Sequence, residues 1–91
     1  MDTPTILNRT RAFVLDTFLY MRPGFELGDH DRLLHKGVID SMGVMELIGF
    51  LRSAFDVAVA DEDITEQNLG TLADIARYVL SKRRNGSSAR G

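Results

Sequence analysis

Cysteine is absent from this 91-residue chain, which removes disulfide frameworks, thiolate nucleophiles and zinc-thiolate centres together. Any sulfur chemistry has to come from an added group. No apolar run approaches the roughly 18 residues that a membrane-spanning helix needs, and the N-terminus lacks a basic-then-apolar leader pattern. The expectation is a soluble cytoplasmic protein with no membrane role. Bases are scarce in the middle of the chain. Between Asp40 and Asp74, eight acids (Asp40, Glu46, Asp56, Asp61, Glu62, Asp63, Glu66 and Asp74) face one base, Arg52, which leaves five acids and ten bases elsewhere. Such a surface steers toward basic partner patches and is badly suited to nucleic acid. A helix-turn-helix reading fails on the same ground, because its second helix would meet phosphates with two acids and one base. A metal-ligating set is missing as well: His30 and His35 stand five apart, off any shared helix face, beside Asp29 and Asp31.

What is present suits one small helical domain. Hydrophobic residues make up 44% of the chain, ordinary for a globular unit, while Asn85-Gly86-Ser87-Ser88-Ala89-Arg90-Gly91 has nothing to pack. The expected organisation is a domain over 1–83 and a disordered tail over 84–91. Thr3-Pro4 reads as a cap followed by a proline at the first helical position. Ile6, Leu7, Phe13, Val14, Phe18 and Met21 give the first helix its apolar side, and Arg22-Pro23-Gly24 should end it. From Pro23 to Ile39 no period is sustained, although Phe25, Leu27, Leu33, Leu34, Val38 and Ile39 are apolar enough to be pinned to a core. Ordered connections this long are uncommon and are often functional.

The cleanest helical signal follows. Val44, Leu47, Ile48, Leu51 and Phe55 fall at offsets 0, 3, 4, 7 and 11, which predicts a second helix over 41–55, capped by Asp40 through the N–H of Met42 or Gly43 and closed at Asp56. Gly43 and Gly49 each cost about 1 kcal/mol inside a helix and hint at close approach by something. After the extended link Val57-Ala58-Val59, Asp61-Glu62-Asp63 opens a short third helix that fades by Asn68-Leu69-Gly70. Thr71-Leu72-Ala73-Asp74 resembles a capping box. It starts a fourth helix, with Leu72, Ile75, Ala76, Val79 and Leu80 on its apolar side and Lys82-Arg83-Arg84 at its end. The predicted fold is all-α: a small four-helix bundle of three longer helices and one short third helix, with a long loop between helices one and two.

Asp40-Ser41-Met42 thus lies at the mouth of the most amphipathic helix. An Asp-Ser pair there is ordinarily a capping arrangement. The hydroxyl of Ser41 would nonetheless sit among unpaired backbone N–H groups at the positive end of the helix dipole, where a phosphodiester is well accommodated. With the loop segment 31–39, the helix from Val44 to Phe55, the acidic link from Val57 to Ile64, and Thr71-Leu72-Ala73-Asp74-Ile75-Ala76, this motif resembles the acyl carrier and peptidyl carrier protein family over about residues 5–82. The family signature at the start of the second helix is Asp-Ser-Leu, and here Met42 stands in the leucine place.

The resemblance implies that Ser41 bears a covalent 4'-phosphopantetheine, donated by coenzyme A through a magnesium-dependent phosphopantetheinyl transferase, with Asp40 and Met42 beside the attachment. The arm's thiol would hold acyl or aminoacyl cargo as a thioester in fatty-acid-like, polyketide or nonribosomal peptide-type biosynthesis. Expected partners are the transferase, an activating ligase, and acyltransferases, synthases or other cargo-modifying enzymes. A thioester is already activated, so such a carrier needs no general base, oxyanion hole or metal, and none is grouped in the sequence. It would be a monomeric substrate of enzymes and no enzyme itself. Asp40, Met42, Met45, Glu46, Asp61, Glu62 and Asp63 are the expected docking residues. An Asp-Ser-Met start followed by Gly43 is similar to stand-alone carriers with a dedicated ligase, including D-alanyl carriers; the alternative from another class is an unmodified helical adaptor. Met45, Phe50, Phe55, Ile64 and Tyr78 could line a cargo pocket, but helical spacing accounts for them as core.

Overall fold

A computed structural model of the chain describes residues 2–90, with side chains described for residues 2–83. Four α-helices and one 3₁₀ turn carry the architecture, and the described residues contain no strand. Helix α1 (Thr3–Phe18) starts one residue earlier than Thr3-Pro4 suggested, because Asp2 is its cap: a carboxylate oxygen of Asp2 accepts the N–H of Thr5 at 3.0 Å. Pro4 then occupies a first-turn position where a missing N–H costs nothing.

The same helix ends before Arg22-Pro23-Gly24. Leu19 leaves helical geometry (φ −117°, ψ 14°) and is buried in the core, and the chain then turns through Arg22 N–H to Leu19 C=O (2.9 Å) and Phe25 N–H to Arg22 C=O (3.1 Å). Burying Leu19 in this way leaves Met21, expected on the apolar side, 76% exposed.

The connection from Leu19 to Asp40 is ordered by contacts that span the sequence. Leu27, Leu33, Val38 and Ile39 are buried, whereas Leu34 faces solvent against expectation. Leu33 donates its N–H to Gly70 C=O at 2.9 Å and accepts from the N–H groups of Val38 and Ile39, folding the segment back upon itself around Gly37 (φ 72°). Asp29 C=O accepts the N–H of Ala73 at 2.9 Å, which ties the loop to the start of the last helix. The Arg11 guanidinium pairs with Asp29, although Asp29 Oδ1 has no well-aligned hydrogen bond, and Arg11 Nε donates to Leu27 C=O at 3.3 Å. A turn closed by Gly28 N–H on Asp31 (2.8 Å) lies beside them. That hydrogen bond and the nearby Lys36 ammonium hold the Asp31 carboxyl below its ordinary range.

Helix α2 (Ser41–Phe55) has the predicted bounds. Leu47, Leu51 and Phe55 are buried, and Val44 and Ile48 pack at the core's edge. Asp56 closes it in the left-handed region (φ 58°), donating to Arg52 C=O at 3.0 Å, while Val57 N–H reaches Leu51 C=O at 3.3 Å. The residue that closes the helix is an aspartate, in the left-handed position glycine more often takes.

The single third helix predicted from Asp61 is two pieces: a 3₁₀ turn at Asp61–Asp63 and helix α3 (Glu66–Leu69). Thr65 divides them, because it is extended (φ −135°) and its hydroxyl oxygen accepts the N–H of Asn68 at 3.2 Å, starting the second piece afresh. Helix α4 (Leu72–Arg90) runs past Lys82-Arg83-Arg84, where no proline stops it. The segment 84–91 expected as a tail lies outside the residues whose side chains are described. Only half of the capping box forms. Thr71 Oγ1 accepts the N–H of Asp74 at 3.0 Å, but the Asp74 carboxylate turns to Arg77 at 2.9 Å.

Helices α1 and α4 share the broadest contact, α3 lies on α4, and α2 packs against both α1 and α4. Between α1 and α2, Phe13 and Phe50 stack with ring centres 4.3 Å apart, and Phe18 and Phe55 meet them edge-on. Such offset aromatic arrangements add about 0.5–1.5 kcal/mol per pair beyond area burial. Within α1, Thr10 is fully buried and its hydroxyl has no hydrogen-bond partner among the described residues.

The residues that could have lined a cargo pocket do not gather. Phe55 and Tyr78 are core, Phe50 and Ile64 pack against it, and Met45 is 63% exposed.

Candidate functional site

Two buried residues, Val38 and Ile39, anchor the chain immediately before Asp40. Asp40 is extended (φ −103°, ψ −177°), and its Oδ1 accepts the N–H of Gly43 at 2.7 Å, so the cap bond selects Gly43 over Met42. The first helical bond, Val44 N–H to Asp40 C=O, measures 3.1 Å. Among the described residues this leaves the N–H groups of Ser41 and Met42 unpaired, at the positive end of a 15-residue helix.

Gly43 explains why Ser41 points away from the bundle. A Cβ at Gly43 would lie 2.9 Å from the ring of Phe18, closer than real Cβ atoms come to a neighbour, and a tight 3.0 Å from Ile39. The mouth of α2 therefore rests flat on the end of α1, and Gly43 is buried while Asp40, Ser41 and Met42 are exposed. The seat is closely packed and the hydroxyl is accessible. A phosphate ester on Ser41 would find two free N–H donors and the helix dipole. The Asp40 carboxylate beside it is held by the cap bond to Gly43.

Met42 is 80% exposed and Met45 63%, and Glu46 is exposed beside them. At i, i+3 and i+4 these three side chains share one face, directly below Ser41 on the helix. Two exposed, unbranched thioether side chains next to an accessible serine are costly to a monomer in water and well adapted to varied partners.

The acids of the link behave differently. Asp61 and Glu62 are exposed, but Asp63 is turned inward: its Oδ2 accepts the Tyr78 hydroxyl at 2.8 Å, and the Lys82 ammonium lies 3.7 Å away. Burial, followed by this carboxylate, pushes the Tyr78 phenol up to about 12. Asp63 thus ties the link to α4, and among the described residues no hydrogen bond or ion pair of 61–63 reaches the first turn of α2.

The sequence placed Met21 on the apolar side of α1 and did not single out Tyr20, yet the two are 76% and 69% exposed just beyond Phe18, the residue on which Gly43 rests. No local signal marked them, because α1 ends at Phe18 where Leu19 turns into the core, ahead of Pro23 and Gly24.

Asp40→Ala is expected to lower stability by about 1 kcal/mol through loss of the cap, with Asp40→Asn retaining most of it because the amide oxygen still accepts. Urea unfolding of the two variants checks this. Equal losses would mean that charge at the dipole outweighs the hydrogen bond.

Residues 17–79 match a family model described as "Phosphopantetheine attachment site". The chain is also 42% identical, over 62 residues, to the D-alanyl carrier protein of Streptococcus suis (strain 98HAH33), an alignment that covers 68% of this chain and 77% of that relative. The family match runs from the end of α1 into α4 and contains the exposed serine. The two matches set aside the reading of an unmodified helical adaptor.

Proposed function

The chain belongs to the family of phosphopantetheine attachment domains, and we propose that it is a stand-alone aminoacyl carrier of the D-alanyl type with its arm on Ser41. As a member of that family it carries a covalent 4'-phosphopantetheine and serves as a carrier of bound cargo, not as a catalyst. Such carriers work with a phosphopantetheinyl transferase and with cargo-handling enzymes. The bound group supplies a thiol that holds a carboxylic acid as an activated thioester.

The chain's own residues supply the mounting. Ser41 offers the hydroxyl, the free N–H groups of Ser41 and Met42 receive the phosphate's charge, and Asp40 fixes the turn through Gly43. Gly43 seats the turn on Phe18. Met42, Met45 and Glu46 would meet the enzymes that visit the arm, with Asp61 and Glu62 as outlying acids and Asp63 holding their segment in place.

The observation that carries the aminoacyl reading is Asp40-Ser41-Met42-Gly43 at an exposed helix mouth, within a chain 42% identical to a D-alanyl carrier. The test is to prepare the phosphopantetheinylated protein and offer it, with ATP, to a D-alanine-activating ligase or to acyl-loading enzymes. A D-alanyl thioester seen by intact mass and removed by hydroxylamine is the expected result. Loading with malonyl or longer acyl groups and with no amino acid would move the chain to an acyl carrier of the fatty-acid or polyketide type.

A further inference from the structure

Gly70, at the junction of α3 and α4, is a buried glycine that its backbone conformation does not explain. Its φ and ψ (−75°, −30°) are right-handed helical and open to any residue. What excludes a side chain is proximity: a Cβ built there would collide with the backbone carbonyl of Glu66, the oxygen that accepts the Gly70 N–H at 2.8 Å. Helix α3 is itself fastened to α4, because Arg77 Nη2 donates to Gln67 C=O at 3.1 Å.

This closure aims the Gly70 carbonyl at the loop between α1 and α2, where it accepts the N–H of Leu33 at 2.9 Å. Leu33 C=O in turn accepts from the N–H groups of Val38 (2.9 Å) and Ile39 (3.3 Å), and Asp40 and Ser41 follow directly. Gly70, Leu33, Val38 and Ile39 are all buried, so water cannot readily replace a hydrogen bond lost from this relay. The ion pair of Arg32 with Glu66 joins the same two segments alongside.

We propose that Gly70 is a positioning residue for attachment of the arm: through Leu33 it fixes Val38 and Ile39, and with them the place at which Ser41 presents its hydroxyl to the transferase. This rests on Ser41 being the attachment serine. None of the relay's hydrogen bonds involves Met42, Met45 or Glu46, so the relay sets where the hydroxyl stands and leaves the exposed face of α2 unchanged. A misplacement of about 1 Å caused far from the chemistry can cost on the order of a hundredfold in rate.

The test follows arm transfer from coenzyme A to the unmodified chain, with Gly70→Ala set against Val79→Ala, a buried α4 substitution outside the relay that lowers stability by opening a cavity. For Gly70→Ala, kcat should fall about tenfold while KM stays within about twofold of the parent. Its Leu33, Val38 and Ile39 amides should exchange at least about tenfold faster than its change in global stability requires. Val79→Ala should keep the parental kcat below its melting temperature, and its exchange at those amides should follow global stability alone. Parental kcat in Gly70→Ala, or a loss no greater than that of Val79→Ala, would overturn the proposal. If Gly70→Ala does not fold, the parent decides: in low urea the amides of Leu33, Val38 and Ile39 should open as one unit, and independent opening of Val38 and Ile39 would overturn the proposal equally. An arm that peptide mass mapping places on another hydroxyl of the parent removes the attachment reading and this role with it, an outcome distinct from a parent modified on Ser41 whose rate ignores Gly70.

Discussion

Ser41→Ala is expected to abolish phosphopantetheinylation completely while leaving the fold intact. Ser41 is exposed at the first position of α2, and its side chain makes no hydrogen bond among the described residues, because the cap belongs to Asp40. Alanine is a good helix former, so stability should change by less than about 0.5 kcal/mol. The measurements are intact mass after incubation with coenzyme A and a phosphopantetheinyl transferase, and a thermal melt of the same samples. A variant that still gains the arm would move the linkage to another hydroxyl, for example Ser53, which is also exposed on α2. A variant that loses the arm but also unfolds would remove the separation between mounting and chemistry. That separation is the main physical content of the site: Asp40, Gly43, Phe18 and Ile39 build the turn, and Ser41 decorates it.

How much of this could be read from the residues depended on how local each cause was. Helix α2 was legible from end to end, since the spacing of Val44, Leu47, Ile48, Leu51 and Phe55 and the cap at Asp40 lie within one segment. The end of α1 was not. Leu19 and Met21 are both apolar and both fit the helical period, and only the shape of the core decides that one is buried and the other exposed. The third helix was misread for a related reason. Three acids at Asp61–Asp63 suit any helix start, but the hydroxyl of Thr65 caps a new turn and the Asp63 carboxylate is drawn to Tyr78. The bond between Asp29 and Ala73 joins residues 44 apart in sequence, and no periodicity reports it.

The candidate site was easier to find than the fold was to draw. Asp40-Ser41-Met42 is a local motif on the best-patterned helix, and the resemblance it supports extends along most of the chain. Spatial meaning still had to come from the structure. Gly43 and Gly49 are indistinguishable in sequence, yet one is pressed against an aromatic ring and the other stands in open solvent.

Phe55→Ala is expected to cost about 3–5 kcal/mol, the range for deleting a buried aromatic ring. Phe55 is 1% exposed at the last turn of α2, with the Phe50 ring edge-on at 5.6 Å and the Arg9 guanidinium 5.2 Å from its centre. Its carbonyl accepts Arg83 Nη1 at 2.7 Å, so the same residue also fastens the end of α2 to α4. At roughly 0.05–0.15 kcal/mol per residue, a 91-residue domain has about 5–14 kcal/mol in all, and the loss removes about a fifth of that or more. The melting temperature should fall by at least about 12 °C. Met45→Ala is the contrasting control: its side chain is 63% exposed, and its removal should change stability by less than about 0.5 kcal/mol. Thermal and urea melts of the two variants decide the matter. A drop below about 1 kcal/mol for Phe55→Ala would mean that α2 is not held by its far end, and the presentation of Ser41 would then have to come from contacts at the near end, such as that of Gly43 with Phe18.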